Sequence, residues 1–86
     1  MLIRHSRRFK KMFKKQPAWI QDKFEERVYL FQQNMYHSLL NNHALNGIWF
    51  GNKSINVTGN IRAVFEEISE GHIEFVAIGT HSELYS

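Results

Sequence analysis

The chain has 86 residues, a net charge of +3 at neutral pH and no cysteine. That length makes a single domain, residues 1–86, and a domain this small hides only about 60–65% of the surface its unfolded chain exposes, so all its elements must share one core. The missing thiols exclude a disulfide scaffold and a cysteine-based zinc site and fit a reducing cytoplasm, while no apolar run approaches the roughly 20 residues of a membrane span.

The charge is unevenly distributed. Residues 1–15 hold Arg4, Arg7, Arg8, Lys10, Lys11, Lys14 and Lys15 with no acid, whereas residues 63–86 hold five acids and no base. A basic first segment of this kind is either a solvated helix face or a surface for a polyanion or an acidic partner. It carries no following apolar stretch, so it does not have the pattern of a secretory leader.

Met1 to His5 is predicted to be an edge strand. Ser6 is a good N-cap, and Phe9, Met12 and Phe13 make one apolar stripe at helical spacing, so a first helix is expected to end by Gln16, before Pro17. Pro17 fits the first position of a second helix running to about Asn34, with Asp22, Glu25 and Glu26 in its early turns. Ile20, Phe24, Val28, Phe31 and Met35 form its buried stripe, widened by Trp19 and Leu30. Two helices so closely joined form an antiparallel hairpin.

Residues 36–53 read as irregular, rich in Asn and Gly. Ser54 to Val57 is a short strand candidate. Asn60 to Ser69 is a strong one, with Ile61, Ala63 and Phe65 on one face and Arg62 and Val64 on the other. After the Glu70-Gly71 turn, His72 to Gly79 is its partner, with Ile73, Phe75 and Ala77 predicted on one side and Glu74, Val76 and Ile78 on the other. The predicted fold is α+β: an N-terminal helical hairpin packed on a small, mostly antiparallel sheet, in the order β-α-α-β-β-β.

Four side chains carry the plausible chemistry. His43 precedes the strands, Arg62 sits inside one, and His81 and Tyr85 follow the other. Together with the basic first helix and the helical hairpin, the segment His43-x-Leu45-x-Gly47-x-Trp49 and the ending Gly79-Thr80-His81-Ser82-Glu83-Leu84-Tyr85 resemble the RelE/ParE superfamily of bacterial toxins. Within it the ending is most like the YafQ-type messenger-RNA interferases. The resemblance implies the toxin of a type II toxin–antitoxin pair. In this branch the implied activity is an endoribonuclease that cuts messenger RNA on the ribosome, with a cognate antitoxin, the ribosome and mRNA as partners and with no membrane or small-molecule cofactor.

Carried over residue by residue, the resemblance makes His81 the catalytic histidine of the terminal motif, His43 the histidine before the glycine turn, and Tyr85 the terminal aromatic. Arg62 is the strand arginine set against the scissile phosphate. Asn56 stands where YafQ-type enzymes have a second histidine, and Asn60 where they have an aspartate; asparagine neither takes nor gives a proton near neutral pH. The alternative implied by those two positions is a non-catalytic toxin, either a ParE-like gyrase poison or one that only binds its antitoxin.

The chemistry fits the residue types. Attack by a ribose 2′-OH needs a base, an acid for the leaving oxygen, and cations against the phosphorane. Histidine, with an ordinary pKa near 6.5, serves either proton role, and arginine donates a fixed two-pronged fork to phosphate. His81 is expected to carry one proton, and His43 or Tyr85 the other. Lys53, Arg7, Arg8 and Lys11 are candidates to hold RNA backbone, with Asn56 and Asn60 as neutral substrate contacts. The competing structural roles are equally specific. His81 would be an exposed polar residue, and His43 would bond within the Asn-rich turn. Arg62 would pair with Glu66 or Glu74, and Tyr85 would lie on the hairpin. His5, His37 and His72 have no partners at metal-ligand spacing, and no metal site is expected.

Overall fold

In the computed structural model, which describes residues 1–85, five strands form one mixed sheet in the order β1-β5-β4-β3-β2. β1 (Leu2–His5) pairs parallel with β5 (His72–Gly79). β5 pairs antiparallel with β4 (Arg62–Ser69), β4 with β3 (Lys53–Asn56), and β3 with β2 (His43–Ala44). The α+β class holds, and the predicted order β-α-α-β-β-β is recovered with one short strand and one short C-terminal helix added to it. The irregular stretch contributes the two-residue edge strand β2 and two 3-10 turns, Ser38–Leu40 and Gly47–Trp49.

The Ser6 hydroxyl accepts the Phe9 amide at 3.0 Å and so caps α1 (Arg7–Lys14). Pro17 falls one position outside the expected place: it is extended and precedes α2 (Ala18–Gln33), whose first turn holds no acid. α2 buries Ile20, Phe24 and Phe31 against one face of the sheet. Phe24 meets Phe75 edge-on at 5.1 Å, and Phe31 meets Phe65 in the same way at 5.1 Å. Edge-to-face packing suits the ring quadrupoles, and each buried phenylalanine contributes about 1.5–3 kcal/mol of transfer free energy. Trp19 does not widen this stripe; it is exposed, because it lies on the outer side of the helix.

The expected alternation of β5 fails at Val76. Val64 is opposite Ala77 while Phe65 is opposite Phe75, which leaves Val76 as the extra residue of a β-bulge. The Ser6 hydroxyl bonds the Val76 carbonyl at 3.3 Å. Beyond the bulge the faces exchange. Ile78 joins Phe75 in the helix-covered core, and Ala77 turns to the other face with Val64, where Trp49 and Leu84 complete a second small cluster. This shift also puts Gly79 opposite Arg62, so the chain leaves β5 beside that arginine.

Candidate active site

The sheet face away from α2 carries the second cluster and a cleft of about 500 Å³. Its polar lining includes His43, Asn60, Arg62, His81 and Tyr85. The topology brings them together. His43 on β2 is opposite Ser54, Ser54 is opposite Val64, and Val64 is opposite Ala77, so this row shares one face. The next row is Asn56, Arg62 and Gly79.

Arg62 makes neither of the expected pairs with Glu66 or Glu74; those two carboxylates are cross-strand neighbours of each other. Its Nη1 instead donates to the carbonyls of Thr58 (3.2 Å) and Gly59 (3.0 Å). The 57–61 turn that offers them is held by the Thr58 hydroxyl, which accepts the Ile61 amide at 3.1 Å. The guanidinium is thus held by neutral groups, with its full charge available to an anion.

His43 lies 2.8 Å through Nδ1 from the carbonyl of Asn41, a residue in the left-handed region (φ 47°). The bond within the Asn-rich turn and the place in the cleft are both realised. A carbonyl only accepts, so Nδ1 carries the hydrogen, and the neutral ring keeps its lone pair on Nε2, the position of a base.

His81 opens a short helix, α3 (His81–Leu84), an element that the predicted order β-α-α-β-β-β does not contain. Thr80-x-x-Glu83 is a capping box: the Thr80 hydroxyl accepts the Glu83 amide at 3.2 Å, and Glu83 Oε1 accepts the Thr80 amide at 2.8 Å. That motif was the sequence signal for α3. Gly79 makes room for it, since a Cβ there would lie 2.9 Å from Glu83 Oε1. One turn on, Tyr85 stacks on His81 with ring centroids 4.5 Å apart, rather than on the hairpin. The Leu84 carbonyl accepts the indole N–H of Trp49 at 2.8 Å.

The remaining candidates lie elsewhere. Lys53 is opposite Phe65, on the helix-covered side of the sheet, and its ammonium is 3.7 Å from Glu67. Asn56 is beside Arg62 in register but does not line the cleft, and its Oδ1 is buried without a partner. The Arg8 guanidinium lies over the Trp49 ring at 4.9 Å. Arg7 and Lys11 border a second depression of about 690 Å³ on α1, floored by Phe9 and Phe13 and flanked also by Lys10 and Lys14. His5, Phe9 and Phe13 form a ladder of stacked rings there. Sequence reasoning alone did not single out the Thr58 and Gly59 carbonyls or the Trp49–Leu84 bond, because each depends on how distant segments meet.

No family model and no curated protein sequence matches the chain. Its fold is that of the RelE/ParE-type toxins. YafQ from E. coli superposes with a TM-score of 0.78 at 20% identity, covering 98% of this chain and 97% of that one. The YoeB/ParE toxin from Agrobacterium tumefaciens gives 0.76 at 16% identity over 94% and 99% of the two chains. The RelB–RelE antitoxin–toxin complex from Methanococcus jannaschii gives 0.73 at 19% identity over 95% and 94%. Among the described residues no helix is long and apolar enough to cross a membrane.

Proposed function

We propose that this chain is the toxin of a type II toxin–antitoxin pair, acting in the cytoplasm as a ribosome-dependent endoribonuclease on messenger RNA. The observation that carries the reading is the meeting of His43, Arg62, His81 and Tyr85, from three separate elements, around one cleft. An unprotonated His43 Nε2 takes the proton of a ribose 2′-OH. That oxygen bonds to phosphorus, the bond from phosphorus to the 5′-oxygen breaks, and protonated His81 gives its proton to the departing oxygen. The products are a 2′,3′-cyclic phosphate and a 5′-hydroxyl. Arg62 faces the charge that develops on the phosphorane, and Tyr85 steadies the His81 ring by stacking. Asn60, in the cleft without a titratable group, is a neutral substrate contact.

The antitoxin is proposed to dock on the basic depression of α1, where an acidic segment meets Arg7, Lys10, Lys11 and Lys14 and an apolar side chain meets Phe13. Structures of the same fold include the E. coli DinJ–YafQ toxin–antitoxin complex, which supports an antitoxin as partner.

Induced expression followed by primer extension on abundant messages, with His81→Ala beside wild type, tests the reading. Discrete in-frame cuts that vanish in the variant are expected. A second reading, a toxin that binds without cutting, is favoured by Asn56 and Asn60 alone. Growth arrest without cuts would support that reading and overturn the first.

A further inference from the structure

We propose that Trp49 is a positioning residue for the cleft, acting through α3 on His81 and Tyr85. The inference rests on the ribonuclease reading above. Four residues cannot hold a helix by their own hydrogen bonds; isolated helices shorter than about 12–15 residues are marginal in water. α3 has its capping box at one end and needs a partner at the other, where the last carbonyls lack intrahelical donors. Trp49 supplies it. Its indole N–H donates to the Leu84 carbonyl, next to Tyr85, and Trp49 as a whole is 7% exposed, packed against Val64, Ala77 and Leu84.

The donor is itself fixed. The Phe50 amide bonds the Gly47 carbonyl at 3.0 Å, and the Asn52 amide bonds the Trp49 carbonyl at 2.9 Å. Gly47 (φ 66°) and Gly51 (φ 94°) adopt left-handed conformations on either side of Trp49. Arg8 covers the indole face, so the same ring links the basic helix to the cleft. A buried indole N–H and a buried helix-end carbonyl each need a partner, and each satisfies the other. Without this bond α3 frays from its C-terminal end, the His81–Tyr85 stack opens, and His81 loses its fixed place on the wall of the cleft.

The test replaces Trp49 by 3-benzothienylalanine, which keeps the shape and the aromatic face but puts sulfur in place of the N–H; Trp49→Phe is the genetically encoded counterpart. The full-length toxin is assayed on programmed ribosomes, and nuclear Overhauser effects between the His81 and Tyr85 rings are recorded. We expect kcat to fall about 10- to 100-fold with KM changed less than about twofold, and no further fall when the change is made in His81→Ala. Unchanged kcat in the isostere, or the same fractional loss in the His81→Ala background, would overturn the proposal. Should Trp49→Phe fail to fold, the isostere decides. Should the wild type not cut, the ribonuclease reading fails, and the ring-to-ring signals still decide positioning. Their loss in the isostere supports it and their persistence contradicts it.

Discussion

The Arg62 guanidinium donates through Nη1 to the Gly59 carbonyl at 3.0 Å, and this bond fixes a cation on the wall of the cleft without neutralising it. A lysine there has one ammonium point in place of a fork. Arg62→Lys is expected to lower ribosome-dependent cleavage about 100-fold or more, the scale of losing one fixed transition-state donor, with the melting temperature nearly unchanged. Single-turnover cleavage beside thermal unfolding checks this.

The close approach of Gly79 to Glu83 makes a second prediction. Gly79→Ala pushes Glu83 out of the capping box and should reduce stability by about 1 kcal/mol, the usual worth of an N-cap, while loosening His81. Urea unfolding measures the first effect and cleavage rate the second. An alanine variant with full activity and full stability would contradict the role given to the capping box.

Phe24 is fully buried at the centre of the ring cluster beneath α2. Phe24→Ala should destabilise the domain by about 3–5 kcal/mol, a large part of the 5–15 kcal/mol typical of a folded domain. A fall in the urea midpoint with an unchanged slope is the expected result.

These elements were readable in the sequence to different depths. α1, α2, β4 and β5 follow from periodicity and caps, because the signals are local: Ser6, the phenylalanine stripe of α2, the Glu70-Gly71 turn. The facing of Ala77 and Ile78 was not readable, since a bulge is decided by the partner strand and by Ser6 holding the Val76 carbonyl. Lys53 shows the same limit: one step of register places it opposite Phe65, away from the cleft that the neighbouring Ser54 lines. β2 is two residues long and has no pattern of its own; it exists because β3 offers an edge. The four residues that line the cleft were legible as residue types in motifs. Their meeting depends on pairings across the whole sheet, and nothing in the local sequence of His43 points to His81.

The basic depression on α1 predicts a salt-sensitive partner. Reversing Lys10, Lys11 and Lys14 to glutamate should weaken antitoxin binding by roughly 10- to 100-fold at low ionic strength, and by less as salt screens the exposed charges. Calorimetric titration at two salt concentrations checks it. Equal affinity of the reversed protein at low salt would remove α1 from the docking surface.

The most direct test is single-turnover cleavage of messenger RNA on programmed ribosomes by wild type, His43→Ala, His81→Ala and the double variant. If the two histidines divide the proton transfers, each single change lowers the rate about 100- to 10,000-fold, and the double variant is scarcely worse than the poorer single one. Cleavage that survives in the double variant at the wild-type rate would contradict the account and move the chemistry out of this cleft.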